Sequence, residues 1–303
     1  MTTLHLSVAP SSKRTVGAAY LGVILIWSTT PLATKWSGEG PGFLFAAASR
    51  MCIGVLCVFA LLWWRSVPLP RHARAWQHYL AGAISVYGAM CLSYWAAQQL
   101  PSGWISVIYG LTPLITAVLS RVLLGENSLT PRKLVALAIC VSGLWVIYGS
   151  ATRLGGHAVL GICALLAGAV LHALSAVLIK RINANIPALA SVAGTLLFAW
   201  PAYVLTWWVF DGTWPHELPL KSLLSITYLG VIATTLGFSW YFYVLKHRTA
   251  TQVAMMMFIT PVLALAAGFW LNHEPLTPRI LSGAALILAG MVLHEAGRLR
   301  AVA

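Results

Sequence analysis

The sequence predicts an all-α integral membrane protein, with ten transmembrane helices arranged as two inverted five-helix repeats. Three observations carry this. Of 303 residues, 59% are apolar and only 8% charged, whereas soluble domains carry about 25% charged residues. That little charge cannot cover a water-facing surface. The chain also divides into ten apolar runs, each near the ~20 residues a spanning helix needs. Finally, one stretch is written twice. Thr112-Pro113, Glu126 and Leu129-Thr130-Pro131-Arg132 return as Thr260-Pro261, Glu274 and Leu276-Thr277-Pro278-Arg279, with one residue fewer between acid and turn. An internal repeat of this length governs the reading of a fold.

The predicted spans cover 16–36, 42–64, 77–98, 102–123, 131–149, 157–180, 188–210, 221–245, 250–271 and 278–296. Lys13 and Arg14 before the first run resemble a secretory signal. The run leads into further spans without a small-residue cleavage site, so it reads as a retained first helix. The repeat extends to the other spans: Trp27 lies over His172, Lys35 over Lys180, and Tyr94 over Tyr241. The halves are therefore 1–150 and 151–303. Five helices per half is an odd number, so the second half enters the membrane in the opposite sense. Inverted halves mark secondary transporters, whose site lies near the midplane at the repeat interface.

The formal charge of +13 does not indicate a nucleic-acid partner, because the Lys and Arg punctuate the apolar runs instead of forming a patch. With the N-terminus cytoplasmic, fourteen fall in or beside cytoplasmic loops and four (Lys35, Arg153, Lys221, Arg279) outside. This bias places both termini in the cytoplasm and the chain in the inner (plasma) membrane. The five cysteines lie inside apolar runs without a CxxC or Cys/His pattern, so no metal or cofactor is expected. Trp36, Trp63-Trp64, Trp207-Trp208 and Trp270 sit near span ends, the headgroup level that indole prefers.

Candidate site residues follow from polar groups inside apolar helices. Pro113 and Pro261 each remove a backbone donor and are expected to break their helices. The breaks free the carbonyls of Tyr109 and Met257, which in lipid must face protein or water. In the fourth helix Ser106, Tyr109, Pro113, Thr116 and Ser120 fall at i, i+3, i+7, i+10 and i+14, on one face. Tyr87, Cys91, Tyr94 and Gln98 form a stripe on the third helix, and Tyr228, Thr235 and Ser239 one on the eighth. Together these stripes outline a wet cavity between the halves; interhelical hydrogen bonding is the alternative. Arg50 is the only charge well inside a span, about 12 Å from the outer end at 1.5 Å per residue. Such a charge is a functional candidate by default, as a receptor for a substrate carboxylate or as a partner of helix-terminal carbonyls, with snorkelling to the interface the alternative. His172 lies halfway along the sixth span. It reads as a neutral His bonded between helices, with proton exchange, and hence proton coupling, as the alternative. Glu126 and Glu274 precede a Thr N-cap and a first-turn Pro. Their expected roles are structural or gating, against the following helix end or Arg132 and Arg279. Gly143, Gly149, Gly283 and Gly290 suit close helix approach, a scaffold and candidate homodimer face.

Two five-helix halves, an aromatic start to the first helix, Ala48-Ser49-Arg50 early in the second, the mid-helix Pro and the Pro-to-Glu spacing resemble the EamA branch of the drug/metabolite transporter superfamily. The resemblance covers essentially the whole chain, although His172 stands at the position matching Trp27, and His273-Glu274-Pro275 lacks the preceding Gly of Gly125-Glu126. It implies ten helices, cytoplasmic termini and export of amino acids or related small metabolites by alternating access. Among transporters the rival is a nucleotide-sugar or organic-phosphate exchanger, which needs several cavity-facing cations where only Arg50 is well placed. From other classes come an integral-membrane enzyme, for which His294-Glu295 is a weak cluster, and a channel.

Overall fold

The computed structural model describes residues 13–125, 130–247 and 250–300. Every described element is a helix. Along the chain these are α1 (Lys13–Ser37), α2 (Phe43–Trp64), α3 (Ala73–Ala83) and α4 (Met90–Ala97), then α5 (Ser102–Tyr109), α6 (Thr112–Leu124), α7 (Pro131–Leu154) and α8 (Gly156–Ile182). The remainder are α9 (Ala188–Phe210), α10 (Leu220–Thr227), α11 (Phe238–His247), α12 (Ala250–Asn272) and α13 (Pro278–Arg300). A π-helical segment, Ile84–Ala89, joins α3 to α4, and a second, Tyr228–Gly237, joins α10 to α11. Among the described residues, eight helical stretches are long and apolar enough to cross a membrane; within α12 and α13, Ile259–Asn272 and Pro278–His294 are shorter apolar helices. The observed helices follow the predicted spans closely, and α9 has the predicted limits.

The ends obey local chemistry. Thr130 Oγ1 accepts from the Lys133 amide at 3.4 Å and Thr277 Oγ1 from the Ile280 amide at 3.3 Å, each followed by a Pro in the first turn, where its missing N–H costs nothing. Gly125, at φ 68°, closes α6 in the left-handed region, which a side chain would resist. Glu126 lies outside the described residues.

The expectation that both Thr-Pro pairs break their helices holds only once. The chain turns at Gly110-Leu111 between α5 and α6, and Pro113 stands at the second position of α6. Pro261, by contrast, lies inside an unbroken α12. Ser106 and Tyr109 thus lie in α5 and Pro113, Thr116 and Ser120 in α6, with Gly110 and Leu111 between them in helical angles.

Packing joins α7 to α13, α2 to α9, α1 to α12 and α6 to α8, while α2 lies on the second π segment and α3 on α9. The α7–α13 contact is close because glycines face it. A Cβ on Gly143 would meet the Gly283 carbonyl, and one on Gly290 the Ala136 carbonyl. Gly149 has open space around it instead. Exposed Trp63, Trp64, Trp208 and Trp270 project outward near helix ends.

Candidate functional site

The rod formed by α3, its π segment and α4 stands between two polar clusters. On one side is Arg50 of α2, only 2% exposed. Its Nε donates to Thr234 Oγ1 at 3.3 Å and its Nη1 to the Tyr94 hydroxyl at 3.3 Å. The guanidinium also lies 5.9 Å from the Tyr94 ring centroid. All these partners are neutral, and no carboxylate pairs with Arg50 among the described residues. Full burial excludes the snorkelling alternative. Thr234, on the second π segment, was not singled out from sequence; Thr235 and Ser239 were. Thr235 Oγ1 is spent on the Gly230 carbonyl and Ser239 Oγ on the Thr235 carbonyl. A π turn rotates its side chains away from an α-helical stripe, and this is why the neighbouring threonine reaches the arginine.

On the other side, next in sequence to Tyr94, Ser93 Oγ is 2.8 Å from the Tyr109 hydroxyl. Both hydroxyls also lie within hydrogen-bond distance of the Ala89 carbonyl, so one donates to the carbonyl and the other to its neighbouring hydroxyl. His172 of α8 joins this cluster through Nδ1, 2.7 Å from Ser85 Oγ, and its ring stands 6.0 Å from that of Tyr109. His172 remains exposed although it sits mid-helix between these partners. Gly168 makes room for the arrangement, since a Cβ there would lie 2.8 Å from the Tyr109 hydroxyl. Tyr87 is held away from both clusters by Thr206 at 2.6 Å.

The two π segments explain much of this polarity. A π turn leaves carbonyls outside the regular ladder, and in an apolar interior they must find donors. In the first segment Val86 and Tyr87 carbonyls receive the Tyr203 hydroxyl of α9 at 3.0 and 3.2 Å. In the second, Thr234 and Thr235 donate to carbonyls five residues back on their own helix. Laying Tyr94 over Tyr241 carries Ile84–Ala89 onto 231–236, inside Tyr228–Gly237.

The Thr-Pro pairs and the acid behave differently from these clusters. Thr112 Oγ1 is buried without a partner among the described residues, while Thr260 Oγ1 donates to the Met256 carbonyl. Pro261 is buried and Pro113 half-buried. Glu274 lies at a helix-end connection, remote in sequence from its partners Ser102 and Lys35, not paired with Arg279 as expected.

The EamA-like transporter family model matches residues 16–149 and again 159–294. The chain belongs to that family. Similar proteins include an uncharacterized transporter, YvbV, of Bacillus subtilis, 26% identical over 94% of this chain and 92% of its own. Another, from Streptantibioticus cattleyicolor, bears the name "Probable terminal-alkyne amino-acid exporter" and is 26% identical, covering 89% of this chain and 90% of its own. A third, from Escherichia coli, is named "Probable amino-acid metabolite efflux pump"; it is 28% identical over 65% of this chain and 69% of its own. A solved crystal structure matches 93% of this chain and 98% of its own with a TM-score of 0.64 and 23% identity, a likeness of fold. The family is one of multi-pass membrane transporters of small molecules within the drug/metabolite transporter superfamily.

Proposed function

We propose that this transporter exports amino-acid-like or amino-acid-derived small molecules from the cytoplasm by alternating access, through ten spans in two inverted halves (1–150 and 151–303). The observation that carries the reading is Arg50, buried against two hydroxyls and, among the described residues, no carboxylate. A buried cation held only by neutral groups is costly and is retained where a ligand completes it. A substrate carboxylate would do so with short, charge-assisted bonds. The names of two relatives, which speak of amino acids, support the same class.

Two patterns support the inverted halves. The π segments fall at one register in the third and eighth spans. The packing partners also exchange correctly, since α1 on α12 corresponds to α8 on α6, and α2 on the second π segment to α9 on the third span. The bias of Lys and Arg supports cytoplasmic termini in the inner membrane. An organic-phosphate substrate is disfavoured because Arg50 is the only buried basic side chain among the described residues, apart from histidines.

Metabolite profiling of the medium from cells with and without the protein tests this. A carboxylate-bearing amine metabolite should accumulate outside only when the native chain is present. Arg50→Gln should cut that export by about 10- to 100-fold, the scale of losing hydrogen bonds to a charged group. An unchanged extracellular profile would remove export as the main role.

A further inference from the structure

Glu274 is the only buried carboxylate among the described residues, at 6% exposed. Three separate parts of the chain meet on it. Its Oε2 accepts from the Ser102 amide at 2.8 Å and from Ser102 Oγ at 3.0 Å. Its Oε1 accepts from Asn272 Nδ2 at 2.9 Å and lies 3.4 Å from Lys35 Nζ. Lys35 Nζ also donates to the Leu100 carbonyl at 3.1 Å, and Trp36 Nε1 to Asn272 Oδ1 at 2.7 Å. The site is shaped for the carboxylate, because a Cβ on Gly268 would collide with Glu274 Oε2 and press on Ser102 Oγ. The end of α1, the start of α5 and the connection after α12 are thereby tied together on the face that the charge bias assigns to the outside.

We propose that Glu274 and Lys35 form an outer latch of the transport cycle, and that α5 is the lever it holds. Glu274 belongs to the second half of the sequence, and Lys35 and Ser102 belong to the first, so the tie joins the outer ends of segments from both halves. The held element is a separate helix. α5 has eight residues, about 12 Å at 1.5 Å per residue, and ends in the tightened Gly110-Leu111 turn, helical in its angles, that leads into α6. The Glu274 carboxylate clamps its first residue, and its last residue, Tyr109, sits in the cluster of Ser93 and His172.

Ionic chemistry suits a latch. A buried ion pair and two hydrated separated charges lie close in free energy, since desolvation offsets most of the Coulomb gain. Opening to water rehydrates Glu274 and Lys35 and so remains reversible, whereas parting an equally tight apolar contact would expose surface at full cost. Displacement of Tyr109 by a ligand would move α5 along its axis, pull the Ser102 amide from the carboxylate and release the outer face. This mechanism rests on the transport reading above but not on the class of substrate.

The test reads access to the outer face without any substrate. Ser37, at the end of α1, is fully buried beside the latch. A Ser37→Cys protein in sealed vesicles would be labelled with a membrane-impermeant maleimide, against the background of the native cysteines. Removing a charged hydrogen-bond partner shifts a two-state equilibrium by about tenfold or more, so Glu274→Gln should speed labelling by that factor. Lys35→Gln, which removes the other charge of the pair, should act in the same direction. Glu274→Asp, which keeps the charge, should label more slowly than Glu274→Gln. A merely structural cap would lower the thermal midpoint and leave the labelling rate alone. Unchanged labelling in both the Glu274→Gln and Lys35→Gln proteins would overturn the latch, while leaving transport and the role of Arg50 standing.

Discussion

The two Thr-Pro pairs occupy matching places in their halves, yet the chain breaks at one and runs through the other. Before Thr112 stand Gly110 and Leu111; before Thr260 stand Phe258 and Ile259. The Gly110 amide donates to the Ser106 and Val107 carbonyls and the Leu111 amide to the Ile108 carbonyl, a tightened turn. A Cβ on Gly110 would lie 2.8 Å from Met291 Sδ and 2.9 Å from the Val107 carbonyl, so a side chain there would be crowded. The turn makes Pro113 an early-helix proline, which is nearly free of cost. Its Thr112 hydroxyl is left without a carbonyl. In α12 the proline is interior, and the Thr260 hydroxyl instead takes up the Met256 carbonyl. Proline therefore does not set the break in this chain; the residue two before the Thr, and the helix packed on it, do.

This contrast can be broken at several points. The largest effect is expected from Gly110→Phe, which writes the second half's residue into the first. Overpacking costs about 1–3 kcal/mol or more, so the thermal midpoint should fall sharply, with the damage where Gly110 meets Met291 of α13. The π segments extend the comparison. Tyr203→Phe should cost about 1–3 kcal/mol, because the Val86 and Tyr87 carbonyls would be stranded in the interior. Thr235→Val, which removes a bond within one helix, should cost less in the same unfolding assay. If the two were equal, the distinction between a segment satisfied by a neighbour and one satisfied by itself would fail. The smallest effects concern the prolines. Pro261→Ala should raise stability by about 1 kcal/mol as an interior backbone bond is regained. Pro113→Ala should leave it within about 0.5 kcal/mol, since a first-turn donor has no intrahelical partner. Equal gains from both would indicate that the two prolines stand in the same environment after all.

Much of the architecture was legible because lipid imposes it. Apolar length, Lys and Arg asymmetry, Thr-Pro helix starts and the repeated stretch are properties of the chain read locally, and they locate the helices to within a few residues. Arg50 was legible as a site for the same reason, being a charge in an apolar run. Its partners were not. Helical spacing selected Thr235, and the π turn substituted Thr234. The first π segment carries no residue signature, because its freed carbonyls are met by donors from elsewhere, Tyr203 and Tyr109 among them, whereas the second is met by Thr234 and Thr235 of its own helix.

Glu274 shows the same division. Sequence alone placed it at a helix end, as a structural or gating acid beside Thr277-Pro278, and the Thr277 cap is where it was expected. Only the tertiary structure decided that the carboxylate serves a different helix, reaching Ser102 at a separation of 172 residues and Lys35 at 239. The physical reason is common to both cases. Hydropathy and capping act within a few residues and are written in the local sequence. A buried charge or freed carbonyl, in contrast, takes whatever donor the packing brings within 3 Å or so, and that is settled only when the helices meet.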